Sequence, residues 1–202
     1  MSPKVGVAPV RREQIVRATI RCLARDGYSG LTMKKLARES RVSQGILHYY
    51  FADKRAILVA ALEAVTADLD GRVAAAQSRG PRDPRARLRA LIGACLALAA
   101  EEREFWIVFV AFWGEMMHDR RLRGINAGLY ARTRRLIGAL VAQGIRAGRF
   151  RRVDVLQAAA VILALVDGVS LQLTFDPSAF SAPTAARFCE DAALRYLAPE
   201  TT

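Results

Sequence analysis

Residues 32–54 cannot form one continuous helix, and this constrains the chain more than any other feature. They read Thr32-Met33-Lys34-Lys35-Leu36-Ala37-Arg38-Glu39-Ser40-Arg41-Val42-Ser43-Gln44-Gly45-Ile46-Leu47-His48-Tyr49-Tyr50-Phe51-Ala52-Asp53-Lys54. Two short segments of helical character are separated by a tight polar break. Each is preceded by a hydroxyl residue suited to capping a helix start, Thr32 for one and Ser43 for the other. Asp53 is placed to cap a further helix. Met33, Leu36 and Ala37 face inward on the first segment, and Ile46 and Tyr50, at i and i+4, face inward on the second.

The rest of the chain agrees with an all-α fold. No run alternates with period 2 between turn signals, whereas period 3.6 recurs throughout. Pro3, Gly6 and Pro9 predict an extended arm over residues 1–10. A first helix then runs from about Arg11 to Asp26, with Ile15, Ala18 and Cys22 on one face and Thr19 and Leu23 beside them. Gly27 sits where a C-terminal cap is wanted. Asp53 opens a helix to about Gln77. Arg79-Gly80-Pro81-Arg82-Asp83-Pro84 reads as a linker, and Pro84 suits the first turn of a helix to about Ala100. Next come an aromatic segment over Phe105–His118, a helix from about Leu122 to Ala147 ended by Gly148, an apolar helix over Val153–Phe175, and a last helix over 184–197. Roughly nine helices are expected. Residues 1–54 form a three-helix module and residues 55–202 a larger helical body.

The short module also holds most of the charge. The chain carries a net +12, and residues 1–55 contain 12 Lys and Arg against 4 Asp and Glu. Two thirds of the excess is therefore in about a quarter of the chain, which favours a polyanionic partner. Cys22, Cys95 and Cys189 are far apart in apolar helical patterns and read as core thiols of a reducing compartment. Met1–Arg12 has no apolar stretch, so no signal peptide is expected, and the location expected is cytoplasmic. Residues 153–175 are long and apolar, but Asp154, Gln157, Asp167 and Gln172 argue for a buried helix rather than a membrane span.

A small residue at a helix crossing, a tight turn and a second helix with a polar first turn are the requirements of a DNA-reading helix-turn-helix. Ala37 is the small residue and Val42 follows the turn. The outward face of the second helix is expected to be Ser43, Gln44, Gly45, Leu47, His48 and Tyr49. Gln44 can bond bidentately to an adenine edge. Gly45 lets the backbone approach a base. His48 and Tyr49 can donate to phosphates; alternatively His48 faces solvent alone and Tyr49 packs. Thr32 and Lys54, each at a helix N-terminus, lie where an anion is favoured. Lys34 and Arg41 complete the expected DNA contacts.

The string Ser43-Gln44-Gly45-Ile46-Leu47-His48-Tyr49-Tyr50-Phe51-Ala52-Asp53-Lys54 resembles the DNA-binding segment of TetR-type repressors, over residues 11–60. The arm Ser2–Arg12, the string Ala111–His118 and Ala164–Gly168 resemble the BetI-type repressors of choline-to-betaine synthesis. That resemblance implies a dimer on a palindromic operator, released by an inducer such as choline, betaine aldehyde or another amine. The chain departs from the pattern at two places. Arg41 stands where the family usually has glycine, which demands a left-handed backbone or a different turn. His48 and Tyr49 replace the Ser-His pair of the subgroup, so a different operator is expected.

A sensor needs a second site. Phe105, Trp106, Phe109, Trp113, Met116 and Met117, with Tyr130 from the next helix, are the candidate lining. Either this aromatic segment is all core, or one stripe faces a cavity in which Trp106 or Trp113 forms a cation–π wall. Leu156, Ala160, Leu163, Asp167 and Leu171 lie near one stripe of the apolar helix and are expected at a dimer interface; an intrachain core is the other reading. No dinucleotide or phosphate-binding glycine motif and no metal-ligand spacing is visible, and there are only two histidines, so an enzyme, a cofactor and a metal are not expected. An activator or nucleoid-type DNA binder on the same fold is the alternative. A basic membrane-surface protein is a remote one, since Arg17, Arg21 and Arg25 read more simply as the outer face of a DNA-binding module; no membrane partner is expected.

Overall fold

The computed structural model describes residues 7–78, 83–101 and 103–199. Among the described residues there are nine α-helices and no strand: α1 (Val7–Gly30), α2 (Met33–Glu39), α3 (Gln44–Tyr50), α4 (Lys54–Ser78), α5 (Pro84–Glu101), α6 (Arg103–Met116), α7 (Arg120–Arg146), α8 (Val155–Phe175) and α9 (Ala182–Tyr196). The chain divides into two compact units, Met1–Ala67 with Glu104–Asn126, and Asp68–Arg103 with Ala127–Thr202.

In the first unit α1 begins at Val7, earlier than the arm expected from the sequence allowed. Pro9 falls in the first turn, where its missing N–H has no intrahelical partner to lose, so it does not delay the helix. Residues 1–6 of the expected arm lie outside the described residues. Gly27 takes φ 68 and ψ −179, a conformation closed to other residues, and interrupts the helix where a cap was expected. The inner face of α1 is as predicted: Ile15, Ala18, Thr19 and Cys22 are fully buried and Leu23 nearly so. The Thr19 hydroxyl donates to the Ile15 carbonyl at 2.9 Å, which satisfies it in the apolar interior.

The second unit is a helical packing in which α5 lies against α8 and α9. Leu88, Leu91, Leu96, Leu140, Val141 and Ile162 fill its core. After α7 the chain folds back so closely that the Phe150 ring occupies the place of a side chain on Gly144; no other residue fits there. Arg151 then donates to the Tyr196 carbonyl at 2.8 Å, and its guanidinium lies 5.1 Å from the Tyr196 ring.

By length and apolarity alone α8 could cross a membrane. One arc of it is instead buried within its own unit, including Ala159, Ile162, Leu163, Val166, Ser170 and Leu173. Its other arc carries exposed apolar residues, Leu156 at 71% and Phe175 at 76% exposure, and α9 adds Phe188 at 52%. The three cysteines are free. Burial pushes the Cys95 thiol up to about 12 and the Cys189 thiol up to about 11, so both are protonated and unreactive near neutrality.

Candidate functional site

Both hydroxyl caps form. Thr32 accepts from the Lys35 N–H and Ser43 from the Ile46 N–H, each at 3.2 Å. Each hydroxyl hydrogen is thereby left for an outside acceptor such as a phosphate oxygen. The turn between α2 and α3 is tied to α1, where the Gln14 side-chain amide donates to the Ser40 carbonyl at 2.7 Å. Arg41 takes φ 54, the left-handed conformation that its place in a glycine position required, and its side chain is exposed.

One face of α3 is free. Ser43, Gln44, Gly45 and His48 are exposed, and Tyr49 is 68% exposed with its ring edge-on to Tyr50. Thr32 and Lys34 are exposed as well. Leu47 is a correction. It was expected among the DNA contacts, yet it is fully buried, and Ile46, expected inside, is 41% exposed. The inward arc of α3 is anchored by Leu47 and by the buried cap residue Phe51, so Tyr50 is left half-buried and Ile46 turns outward. Ile46 is thus an outward apolar side chain that sequence reasoning placed inside, of a kind able to meet a thymine methyl.

Lys54 is partly committed elsewhere. Its Nζ donates to the Tyr28 carbonyl at 3.3 Å and lies 5.0 Å from the Tyr28 ring, so it ties the end of α1 to the start of α4. The Asp53 carboxylate caps α4 through the Ala56 N–H at 2.7 Å, as expected.

A junction of charged groups holds α4 within the first unit. The Arg55 guanidinium donates to both oxygens of Asp119, with the Nη2–Oδ1 bond at 2.9 Å. Asp119 also accepts from the Arg121 N–H at 2.8 Å and the Leu122 N–H at 3.2 Å, which caps α7. The Arg55 guanidinium above all, then these two backbone N–H groups, hold the Asp119 carboxyl well below the usual carboxylate range. Arg121 reaches back to Glu63 of α4 at 3.6 Å. The Arg55–Asp119 pair joins residues 64 apart in sequence, beyond the reach of local pattern.

The residues proposed for sensing separate. Trp106, Phe109 and Met116 are buried on α6, with Trp106 stacked at 5.4 Å on Phe109 and Trp113 edge-on to it at 6.1 Å. The Nε1 groups of Trp106 and Trp113 are buried and have no hydrogen-bond partner, nor has the Asn126 Oδ1. Buried donors without acceptors are costly, about 1–3 kcal/mol each. Met117 is a correction: it is 71% exposed, because α6 ends at Met116 and Met117 lies in the following turn. The side chain of Phe105 lies outside the described residues. Tyr130 belongs to the second unit, where burial first, and then the Asp167 charge, push its hydroxyl up.

Of the expected dimer stripe, Leu156 and Ala160 are exposed and Leu171 is half-buried. Leu163 is a correction, since it lies in the core of its own unit at 8% exposure. Asp167 is half-buried, and burial pushes its carboxyl up against the opposing influence of Tyr130.

Two family models match the chain. The profile described as "Bacterial regulatory proteins, tetR family" matches residues 15–61. That described as "BetI-type transcriptional repressor, C-terminal" matches residues 84–198. The chain belongs to the TetR family. Among its relatives is the HTH-type transcriptional regulator BetI of Paraburkholderia phymatum, 32% identical over 94% of each chain. A putative transcriptional regulator from Saccharomonospora viridis, solved in complex with choline, is 25% identical, with a TM-score of 0.86 over 94% of this chain and 98% of that one. A TetR transcription regulator from Haloarcula marismortui has the same fold at 21% identity, with a TM-score of 0.85 over 95% of this chain and 100% of that one. This TetR-family protein is accordingly a ligand-responsive DNA-binding regulator of the BetI repressor type.

Proposed function

We propose that the protein represses transcription from a palindromic operator as a cytoplasmic homodimer and leaves it when a small amine binds. One observation carries the reading: α3 exposes Ser43, Gln44, Gly45, Ile46, His48 and Tyr49 together while Leu47 and Phe51 hold it from behind. Gln44 reads an adenine edge and Ile46 a thymine methyl; Thr32, Lys34, Arg41, Ser43, His48, Tyr49 and the remaining donors of Lys54 hold phosphates. Residues 1–54 do the reading and residues 55–202 the sensing and pairing, with α6 and the start of α7 packing in the first unit.

A seven-residue reading helix covers a few base pairs, so two are needed about 34–36 Å apart. The exposed apolar arc of α8, with Leu156, Ala160, Val161 and Phe175, and Phe188 of α9 supply the pairing surface. The unpartnered indole N–H groups on α6 support a ligand that carries an acceptor oxygen. Choline and betaine aldehyde have both the cation and the oxygen, and the Saccharomonospora viridis relative is a choline complex.

Fluorescence anisotropy with the DNA upstream of the protein's own gene, with and without choline, tests the reading. Salt-sensitive binding that Gln44→Ala weakens more on the operator than on random duplex is expected, together with release by choline. Equal loss on both duplexes would remove the base-reading role. Retention of DNA in the presence of choline would remove choline as the inducer.

A further inference from the structure

The charges of the reading module do not balance, and two arginines carry the surplus to a definite place. Residues 1–55 hold four carboxylates, Glu13, Asp26, Glu39 and Asp53, and each is engaged. Arg17 donates twice to Glu13, at 3.0 and 2.7 Å. Arg25 and Lys35 hold Asp26, and Arg21 and Arg25 hold Glu39. Asp53 caps α4. No acid of the module is left for Arg11 or Arg12, which are exposed and form no ion pair among the described residues.

Both are nevertheless held, and both beside α3. Arg11 Nη1 donates to Gln14 Oε1 at 2.8 Å, and the Gln14 amide donates in turn to the Ser40 carbonyl at 2.7 Å. Arg11 is thus tied through one side chain to the turn that precedes α3, next to Arg41. The Arg12 guanidinium lies 5.2 Å from the centre of the ring of Phe51, the residue that ends α3. Phe51 is buried, so the stack has a firm base. One arginine therefore stands at each end of the helix. Seven helical residues span about 10.5 Å, close to the roughly 12 Å width of a major groove.

We propose that Arg11 and Arg12, from the first turns of α1, form a clamp that brackets α3 and grips the phosphates bordering the groove that α3 enters. The clamp rests on the reading of α3 above and adds a second helix to the DNA interface. Phosphate is the fitting partner. A guanidinium without a carboxylate offers N–H donors in a planar fork that matches two phosphate oxygens. Stacking on Phe51 fixes the plane of the Arg12 fork and leaves its edge open, so little side-chain freedom remains to be lost on binding. Arg11 commits one N–H to Gln14 and keeps the others. Both come from a helix outside the groove, and contacts of this kind position the protein without specifying a base.

Fluorescence anisotropy of the full-length protein tests the clamp, with the duplex upstream of its own gene and a random duplex, each over a salt series. Arg11→Ala and Arg12→Ala are each expected to weaken both duplexes alike, by about fivefold or more, and to lower the slope of log affinity against log salt by about one. Arg12→Lys keeps the slope, because the charge stays, but loses affinity, because an ammonium has no planar fork. Both positions are exposed, so the variants are expected to fold as the parent does, and their melting temperatures check it. Arg38 is the control. It is exposed and without an ion pair as well, but it belongs to α2 and its charge acts on Asp26, near the other end of α1. Arg38→Ala is expected to leave the slope unchanged. A slope lowered as much by Arg38→Ala as by the other two would overturn the clamp, because net charge alone would explain the loss. Unchanged slopes in Arg11→Ala and Arg12→Ala would overturn it and leave the reading role of α3, tested by Gln44→Ala, standing. Loss confined to the upstream duplex would overturn the phosphate assignment. If the parent binds neither duplex, the reading of α3 and the clamp fall together.

Discussion

Asp119 in the first unit and Asp167 in the second are treated in opposite ways. Asp119 is saturated with partners, with both oxygens on Arg55 and two backbone N–H groups on one of them. Asp167 forms no ion pair among the described residues, and burial holds its carboxyl above the usual carboxylate range against the opposing influence of Tyr130. Carboxylates of the first unit are tied down around α4, although its Trp106, Trp113 and Asn126 keep buried polar atoms without partners, as Gln77 and Ser170 do in the second.

Apolar support should not distinguish the two units, and this is the first way to break the comparison. Leu47→Ala in the first and Leu163→Ala in the second each remove a buried leucine, and each is expected to cost about 3 kcal/mol in urea unfolding. A much smaller loss for one would mean that the units differ in core packing and not only in how their carboxylates are held.

Smaller and opposite effects are expected at the carboxylates. Asp119→Asn should lower the melting temperature and Asp167→Asn should raise it, read by differential scanning calorimetry without ligand. The pH dependence follows the same signs. The Asp119 contribution is fully present above the usual carboxylate range and is lost as pH falls through its depressed value. The Asp167 carboxyl titrates above its unfolded value, so its contribution is best at low pH and is lost as pH rises through that raised value. A melting-temperature profile against pH in which Asp167→Asn loses no slope just above the usual carboxylate range would contradict the contrast.

Ser43→Ala removes a helix cap and should cost about 1 kcal/mol, with weaker DNA binding as well. The smallest effect on folding is expected for Ile46→Ala, within about 0.5 kcal/mol, because the side chain is 41% exposed. Its effect should appear on operator DNA alone. If Ile46→Ala destabilised the fold as much as Leu47→Ala, the inner and outer faces of α3 would be assigned wrongly.

How much of this was legible in the sequence depended on range. Caps are local chemistry, and Thr32, Ser43, Asp53 and Gly27 all do what their types suggested. Helix identities followed from the period, because most of the helices run for many turns. The phase of α3 did not follow, since seven residues give too few apolar positions to choose between Ile46 and Leu47. The same limit put Leu163 on the wrong arc of α8, an apolar helix whose two sides look alike in sequence. Junctions between distant segments were invisible. Nothing near Arg55 announces Asp119, and nothing near Tyr130 announces Asp167. Val7 shows a different failure, in which a proline taken as a sign of extended chain was tolerated at a helix start.

The backbone at Arg41 carries one more consequence. A left-handed conformation in a residue with a side chain costs about 1–2 kcal/mol, and glycine would accept it freely. Every folded copy bears that strain at the edge of the reader, in return for a positive charge that glycine cannot offer. The tight corner is therefore a compromise between two clocks. A protein with glycine there would hold its shape longer, while the arginine shortens the search, because each additional cation near the groove speeds the first, unspecific encounter with a duplex.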